Sequence, residues 1–292
     1  MIAVTGITGQ VGKQLADELL ARHAPVRAVV RDAAKGEALR ARGCEVAIAS
    51  MDDSSALTTA FNGCDAVFVL LPPVFDPSPD FAESRRNIDS LVAALRAAKP
   101  ARIVALSTIG AQAVQENLLT QLQMLEIALR NLERPLSLLR AGWFIENVAW
   151  DVELARASGV LRSHLQPCDR AIPMVATADV ACTAADLLLG ARPSGTHIVE
   201  LEGPVRVSPD MLAAALSDAL GRPVKAAAVP RAQWEAQFRG QGMNNPLPRM
   251  RMLDGFNEGW IDFARVGTES RRGRVQLAAV VQRLAARANV VT

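Results

Sequence analysis

MIAVTGITGQVGK, residues 1–13, is the stretch whose reading decides the fold. An apolar run from Met1 to Val4 stops at Thr5-Gly6, glycines follow at Gly6, Gly9 and Gly12, and helical spacing of apolar residues begins at once. Strand, tight glycine turn and helix N-terminus together are the geometry that holds a dinucleotide pyrophosphate. Gly6 lets the chain turn sharply. Gly9 lets backbone N–H groups approach phosphate oxygens with no Cβ between them, and Gly12 lets the helix pack close to the strand. Thr8, Gln10 and Val11 share the turn and complete the expected contact set. The free N–H groups of the helix add partial positive charge. An empty structural turn is the competing reading, and the strand before and helix after weigh against it.

Outward from that turn, strands and helices alternate. Strands are expected at Ile2–Val4, Val26–Val30, Glu45–Ile48, Ala66–Leu71, Ile103–Ser107 and Leu136–Leu139. Amphipathic helices are expected at Val11–His23, Ala34–Arg42, Ser54–Phe61, Phe81–Ala98 and Gln115–Asn131. Short apolar strands separated by helices mean an α/β chain with a parallel sheet covered on both faces. Right-handed crossovers make it doubly wound, with strand order 3-2-1-4-5-6 and the ligand beyond the strand C-termini where that order reverses.

Past Arg140 the alternation loosens. Trp143–Ser158 reads as an aromatic turn and a helix, Ile172–Val175 as a strand, Thr177–Leu189 as a helix and Thr196–Leu201 as a strand. Ser208-Pro-Asp opens a helix over Met211–Leu220, and further helices are expected at Arg231–Arg239, Pro248–Phe263 and Val275–Ala286. The organisation expected is a nucleotide-binding domain over 1–141, with 177–201 returning to it. A smaller C-terminal lobe over 142–176 and 202–292 then carries the substrate.

Composition limits the function classes. The chain has 292 residues, half of them hydrophobic, with a formal net charge of +2. Arg271, Arg272 and Arg274 form the one tight basic cluster, read as a solvated loop rather than a nucleic-acid patch. No apolar stretch reaches membrane-spanning length and no basic leader precedes the first strand, so a cytoplasmic protein is expected. Cys44, Cys64, Cys168 and Cys182 lack metal-ligand spacing, and no metal is expected. Cys44 and Cys64 read as core residues, Cys168 as a loop residue.

Several strand ends carry residues suited to chemistry. Arg31 follows the second strand, where a cation pairs with a 2′-phosphate and favours NADP, with NAD the other possibility; Asp32 suits a helix cap. Met51-Asp52-Asp53 follows the third strand, where Asp52 or Asp53 can accept from an adenine amine or cap the next helix. Leu71 and Pro72 end the fourth strand and open a long proline loop, either a lid at the nicotinamide side or a stiff connector. Ser107 and Thr108 end the fifth strand, as hydroxyls toward the nicotinamide or as structural ones. They are the candidates for catalysis only by default, because the chain contains no tyrosine and its lysines are Lys13, Lys35, Lys99 and Lys225. A Tyr-Lys proton-donating pair is therefore impossible. Glu126 reads as a solvated or capping carboxylate. Trp143, Phe144 and Asn147 follow the sixth strand, as walls and an orienting amide for a flat ligand or as interdomain core.

Taken together, TGITGQVG, VRAVVRD, CDAVFVLLPP, VALSTIGA, LLRAGWFIENV, IPMVATADVA and the late segment LEGPVRVSPDMLAAALSDALGRPVKAAAVPRAQWEAQF resemble the NmrA-like, or atypical short-chain dehydrogenase/reductase, family. The resemblance spans nearly the whole chain. It implies a Rossmann domain with a small C-terminal lobe and an NAD(P) site. In that pattern Gly6, Gly9 and Gly12 hold the pyrophosphate and Arg31 the 2′-phosphate. Ser107 and Thr108 line the nicotinamide, and Trp143 to Asn147 approach the substrate. Some members reduce quinones, imines or activated double bonds, whereas others bind the dinucleotide and regulate a partner.

Two functions follow. One is an NADPH-dependent reductase of a small flat electrophile such as a quinone, acting without a phenol. The other is a non-catalytic NADP(H) redox sensor acting through a protein partner. The aromatic segment and the proline loop favour the enzyme. Neither nucleic acid nor membrane is an expected partner, and the oligomeric state is left open.

Overall fold

The computed structural model describes residues 1–288. The first half follows the expected alternation: β1 (Ile2–Val4), α1 (Gln10–Ala21), β2 (Val26–Val30), α2 (Ala33–Arg40), β3 (Glu45–Ile48), α3 (Ser54–Phe61), β4 (Ala66–Val69), α4 (Ala82–Ala98), β5 (Arg102–Thr108), α5 (Thr120–Arg130) and β6 (Leu136–Ala141). Beyond it come β7 (Trp143–Phe144), a 3₁₀ turn at Ile145–Trp150, α6 (Val152–Ser158), β8 (Val160–Ser163), β9 (Met174–Val175), α7 (Thr177–Leu189) and β10 (Thr196–Glu202). The chain continues through α8 (Pro209–Leu220), β11 (Lys225–Ala228), α9 (Trp234–Gly240), α10 (Leu247–Glu258), β12 (Glu269–Arg272) and α11 (Leu277–Ala288).

Eight strands form one sheet in the order β12-β10-β6-β5-β4-β1-β2-β3, every neighbour parallel. The six strands from the β3 edge to β6 keep the expected 3-2-1-4-5-6 order, so the order reverses between β1 and β4. Strand period sends Ile2, Val4 and Phe68 to one face and Ala3, Val67 and Val69 to the other. Residues of α1, α2 and α7 close the first face, and residues of α3, α4 and α5 the second. Both faces are dry, which is why these strands read as unbroken apolar runs. A third cluster gathers the 3₁₀ turn, α6, α8, α9, α10 and α11 around Trp234 and Phe238. It gathers residues of 142–176 and 202–288 together with Ile109 and Leu118; of 202–292, residues 289–292 lie outside the described residues.

Some expectations are corrected. The Arg271–Arg272 segment is an edge strand, not a solvated loop, with Arg271 paired to Glu269 and Arg272 to Glu202. Charged side chains are usual on such an edge. The helix expected from Gln115 starts at Thr120, because Asn117 holds a turn: its Oδ1 accepts from Leu119 N at 2.8 Å, and Leu118 N donates to Pro248 O at 2.9 Å. β4 stops at Val69, two residues short of Leu71. The helix expected to reach Phe263 ends at Glu258, where Gly259 adopts φ +89°. Cys44 and Cys64 are buried as expected, and burial pushes both thiols up. No helix among the described residues is long and apolar enough to cross a membrane.

Candidate active site

The glycine turn stands at the point of reversal. Thr5 ties the ends of β1 and β4: its Oγ1 donates to Phe68 O at 3.2 Å and accepts from Leu70 N at 2.8 Å. Gly6 turns the chain at φ +63°, where a Cβ would meet the Leu70 side chain at 3.0 Å. At Gly12 a Cβ would land on the Gly6 carbonyl, so this glycine serves helix–strand packing. Gly9 differs. It is the N-cap of α1 in extended conformation, and a Cβ there meets only Gly6 O, at 3.2 Å. Its open side faces outward with the exposed Thr8 and Gln10. No side chain caps α1 and no carboxylate lies in its first turn. The first-turn N–H groups, those of Val11 and Gly12 included, have no intrahelical partner and point at that space. Val11's side chain is buried, so only its amide can serve. These features fit a pyrophosphate.

Beside the turn, Thr8, Val30, Arg31, Asp32 and Lys35 line a cleft of about 220 Å³. Asp32 accepts from Ala34 N at 2.9 Å and caps α2, which leaves Arg31 as the charge facing the cleft. Lys35 was not anticipated there. A cation in the first turn opposes the helix dipole, and that was the available signal. The pair of cations fits a 2′-phosphate. At the next strand end Asp53 accepts from Ala56 N at 2.9 Å and caps α3. Capping is thus assigned to Asp53, while Asp52 is exposed and held below its ordinary pKa mainly by the Ser50 hydroxyl.

The loop carrying Leu71 and Pro72 is fastened twice. Buried Gln121 donates from Nε2 to Val74 O at 3.1 Å and accepts from the Ser84 hydroxyl at 2.9 Å. Asp76 accepts from Asn244 N, Asn244 Nδ2 and Asn245 N at 2.9, 3.0 and 2.7 Å. These bonds hold the Asp76 carboxyl below the ordinary range. The loop therefore bridges β4 to the segment leading into α10, a link that the sequence did not disclose.

At the end of β5 the two hydroxyls part company. Ser107 is buried and donates to Glu126 Oε1 at 2.6 Å. Glu126, expected to be solvated, is buried instead and accepts from Arg140 Nε at 2.8 Å and Nη2 at 2.7 Å. Arg140 also lies 3.8 Å from Glu200, which accepts from Ala264 N, Arg265 N and the Thr268 hydroxyl. Ser107's proton is thus committed to a carboxylate, and the residue is poorly placed to act as an acid. Thr108, half-buried next to it, makes no side-chain hydrogen bond among the described residues.

The aromatic segment divides between two sides. Trp143 packs edge-on to Phe256, centroids 5.4 Å apart at 85°, whereas Phe144 packs against the sheet cluster. Consecutive strand residues point apart, so they do not form a single aromatic wall. Glu146 accepts from Thr177 N and Oγ1 at 3.0 and 2.8 Å and anchors α7. Asn147 is half-buried with its amide unpartnered among the described residues.

The chain is similar to several known proteins. The NAD(P)H-binding family model matches residues 6–188. An NAD(P)H azoreductase of Xenophilus azovorans is 30% identical over 257 residues, covering 85% of this chain and 83% of that protein. Quinone oxidoreductase 2 of Escherichia coli is 28% identical over 252 residues, covering 86% and 85%. The crystal structure of the Escherichia coli NADPH-dependent quinone oxidoreductase with NADPH superposes with a TM-score of 0.80 at 27% identity, over 97% of this chain and 99% of that one.

Proposed function

Since the chain belongs to the NAD(P)H-binding family, we propose that it is an NADPH-dependent reductase of small flat electrophiles, with quinones the preferred class. The relatives named as azoreductase and quinone oxidoreductase support the reaction type. The observation that carries the choice of substrate is the 2.6 Å bond from Ser107 to Glu126 in a chain without tyrosine. Among the described residues the Ser107 proton is held by Glu126, and Thr108 offers only an aliphatic hydroxyl, a poor acid for a forming alkoxide.

When bound, NADPH supplies a hydride. The residues around it do the rest. Gly6, Thr8, Gly9, Gln10, Val11 and Gly12 would hold the pyrophosphate, and Arg31 with Lys35 the 2′-phosphate. Asp52 would reach the adenine edge, and Leu71 and Pro72 would border the nicotinamide side. Thr108 can donate to a carboxamide or substrate oxygen, and Ser107, held by Glu126, offers its oxygen as an acceptor. Trp143 and Asn147 would form the apolar wall and the orienting amide, with Phe144 anchoring the segment to the sheet. The substrate lobe is assigned to 142–176 and 202–292. In balance, quinone, NADPH and one proton give hydroquinone and NADP⁺. The oxyanion of the product is weakly basic and takes its proton from water.

A redox-sensor reading is favoured by one feature, the closure of Trp143 onto Phe256, which can leave the substrate space filled. Turnover decides between them. NADPH oxidation is followed by absorbance with quinones, iminium or azo dyes, and aliphatic ketones. Quinones should react and simple ketones should not, since an alkoxide needs an acid as it forms. Efficient ketone reduction would refute the acid-free site. Tight NADPH binding with no oxidation by any electrophile would leave the sensor.

A further inference from the structure

The loop after β4 rises where a bound dinucleotide crosses the sheet. β4 lies between β1 and β5, with Phe68 beside Val4 and Val69 beside Ala105. Neighbouring strands stand about 4.8 Å apart, so the path from the glycine turn to the end of β5 covers about 10 Å and passes the end of β4. Leu70 is both the wall of that turn, 3.0 Å from a Cβ placed on Gly6, and the start of the loop. Val74 is still held on the nucleotide-binding side, where its carbonyl accepts from buried Gln121 at 3.1 Å. Asp76 and Pro77 cross to the other side.

The crossing is made by hydrogen bonds to the turn between α9 and α10. Asp76 Oδ2 accepts from Asn244 N and Nδ2 at 2.9 and 3.0 Å, and Oδ1 from Asn245 N at 2.7 Å. Asn245 Nδ2 donates to Pro77 O at 2.9 Å. The large apolar side chains flanking this seam are not buried across it: Phe75 is 51% exposed and Leu247 58%. The turn itself is lightly packed. Residues 239–242 are exposed, and a Cβ on Gly240 or Gly242 would meet nothing within 4 Å. Gly242 also holds φ +89°. Beyond Asp76, the polar partner of Asn244 among the described residues is Arg239, whose Nη1 donates to Asn244 O at 3.0 Å. Behind the turn the chain is fixed, since Pro246 and Pro248 are buried and Leu118 N donates to Pro248 O at 2.9 Å. A segment held by exposed hydrogen bonds with little apolar burial opens at low cost, while its anchored base stays in place.

We infer that this seam is a latch on the cofactor crevice. Closed, it narrows the passage at the end of β4; the bonds at Asp76 break and the 240–245 turn lifts when NADP(H) enters or leaves. The latch concerns cofactor exchange, and it operates whether the bound cofactor serves a reductase or a sensor.

Kinetics separates a latch from a ligand contact. Unfastening a latch lowers the barrier in both directions, so association and dissociation speed up together and affinity hardly moves. Losing a contact speeds dissociation alone. Stopped-flow mixing with NADPH, read by nicotinamide fluorescence, gives association, and displacement of bound NADPH by excess NADP⁺ gives dissociation. Asp76→Ala removes all three bonds to the carboxylate and should speed both by about tenfold or more, with the dissociation constant within about threefold of wild type. Asn244→Ala removes the Nδ2 bond alone and should speed both by about twofold. If Asp76→Ala does not fold, Asn244→Ala/Asn245→Ala decides, because it strips both side-chain bonds from an exposed turn and leaves the strand ends untouched. Unchanged rates in the variant that folds would overturn the latch. So would faster dissociation at unchanged association, which marks a lost contact, or slower exchange in both directions.

Discussion

Replacing Glu126 by Leu tests whether the buried charges behind Ser107 act as one unit. The Glu126 and Arg140 side chains are 4% and 5% exposed. The carboxylate takes two bonds from Arg140, at 2.8 and 2.7 Å, one from Ser107 at 2.6 Å and a longer one from Arg130 at 3.4 Å. Without it the guanidinium stays buried, with Gln112 at 3.2 Å and Glu200 at 3.8 Å. Glu200 offsets little, because its oxygens already accept from Ala264 N, Arg265 N and Thr268 at 2.8, 3.0 and 3.0 Å. Removing one partner of a buried pair costs about 3–5 kcal/mol, and the Gln112 bond that Arg140 keeps places this variant at the lower end, about 3 kcal/mol. In a chain of this size that lowers the melting temperature by roughly 5–10 °C. Arg140→Met should cost a similar amount, since it leaves the buried Glu126 carboxylate with only the Ser107 hydroxyl and the longer Arg130 contact among the described residues. The double variant Glu126→Leu/Arg140→Met removes both charges, so it should fall short of the summed single effects by at least about 1.5 kcal/mol. Urea denaturation of the four proteins, without cofactor, supplies the cycle. Single substitutions worth under about 1 kcal/mol, or strict additivity, would refute the network.

Other perturbations separate the roles assigned above. Gly9→Val meets only the Gly6 carbonyl oxygen, at 3.2 Å, so stability should stay within about 1 kcal/mol while NADPH affinity drops about tenfold or more, measured by calorimetry; Gly12→Ala, pressed onto the Gly6 carbonyl, should lose stability as well. Arg31→Ala should weaken NADPH by about 1.5–3 kcal/mol and leave NADH nearly unchanged; with Lys35→Ala added the NADPH loss should deepen, and an unaltered ratio of affinities would reduce both to surface charges. Burial raises the Asp151 pKa to about 6, so the folded chain holds that proton more tightly than the unfolded one and stability falls as pH climbs from about 4 through 6. Asp151→Asn removes that fall: denaturation should show the variant equal to wild type near pH 4 and more stable by on the order of 1–2 kcal/mol at pH 8, after discounting for partial exposure.

What the sequence disclosed and what it withheld have physical reasons. Val26–Val30, Ala66–Val69 and Leu136–Leu139 are buried on both faces, so their apolar runs declare strands without help from the rest of the chain. The glycine turn is local, and Gly6 and Gly12 follow from backbone sterics. By contrast, β8 and β11, with sequences VLRS and KAAA, pair only with each other and carry no periodic signal. Glu126 was misread because its burial depends on Arg140, fourteen residues away on another element. The clue was there: Arg140 interrupts the apolar run LSLLRA and requires a partner, and Glu126 lies between Leu122 and Leu129 on the stripe of α5 that faces the sheet. Asp76 and Asn244 are 168 residues apart, and nothing local in either could have announced their bond.

The most direct test of the account is hydride transfer itself. Protein saturated with NADPH is mixed anaerobically with one equivalent of 2-methyl-1,4-naphthoquinone, and the reduced-nicotinamide absorbance is followed with NADPH deuterated in turn at each of its two C4 positions. The account predicts stoichiometric oxidation, slowed by deuterium at one C4 position and not at the other, as a quinone held on one side of the nicotinamide requires. Loss of absorbance insensitive to either label would contradict transfer at this site, and tight binding with no loss at all would contradict the assignment as a reductase.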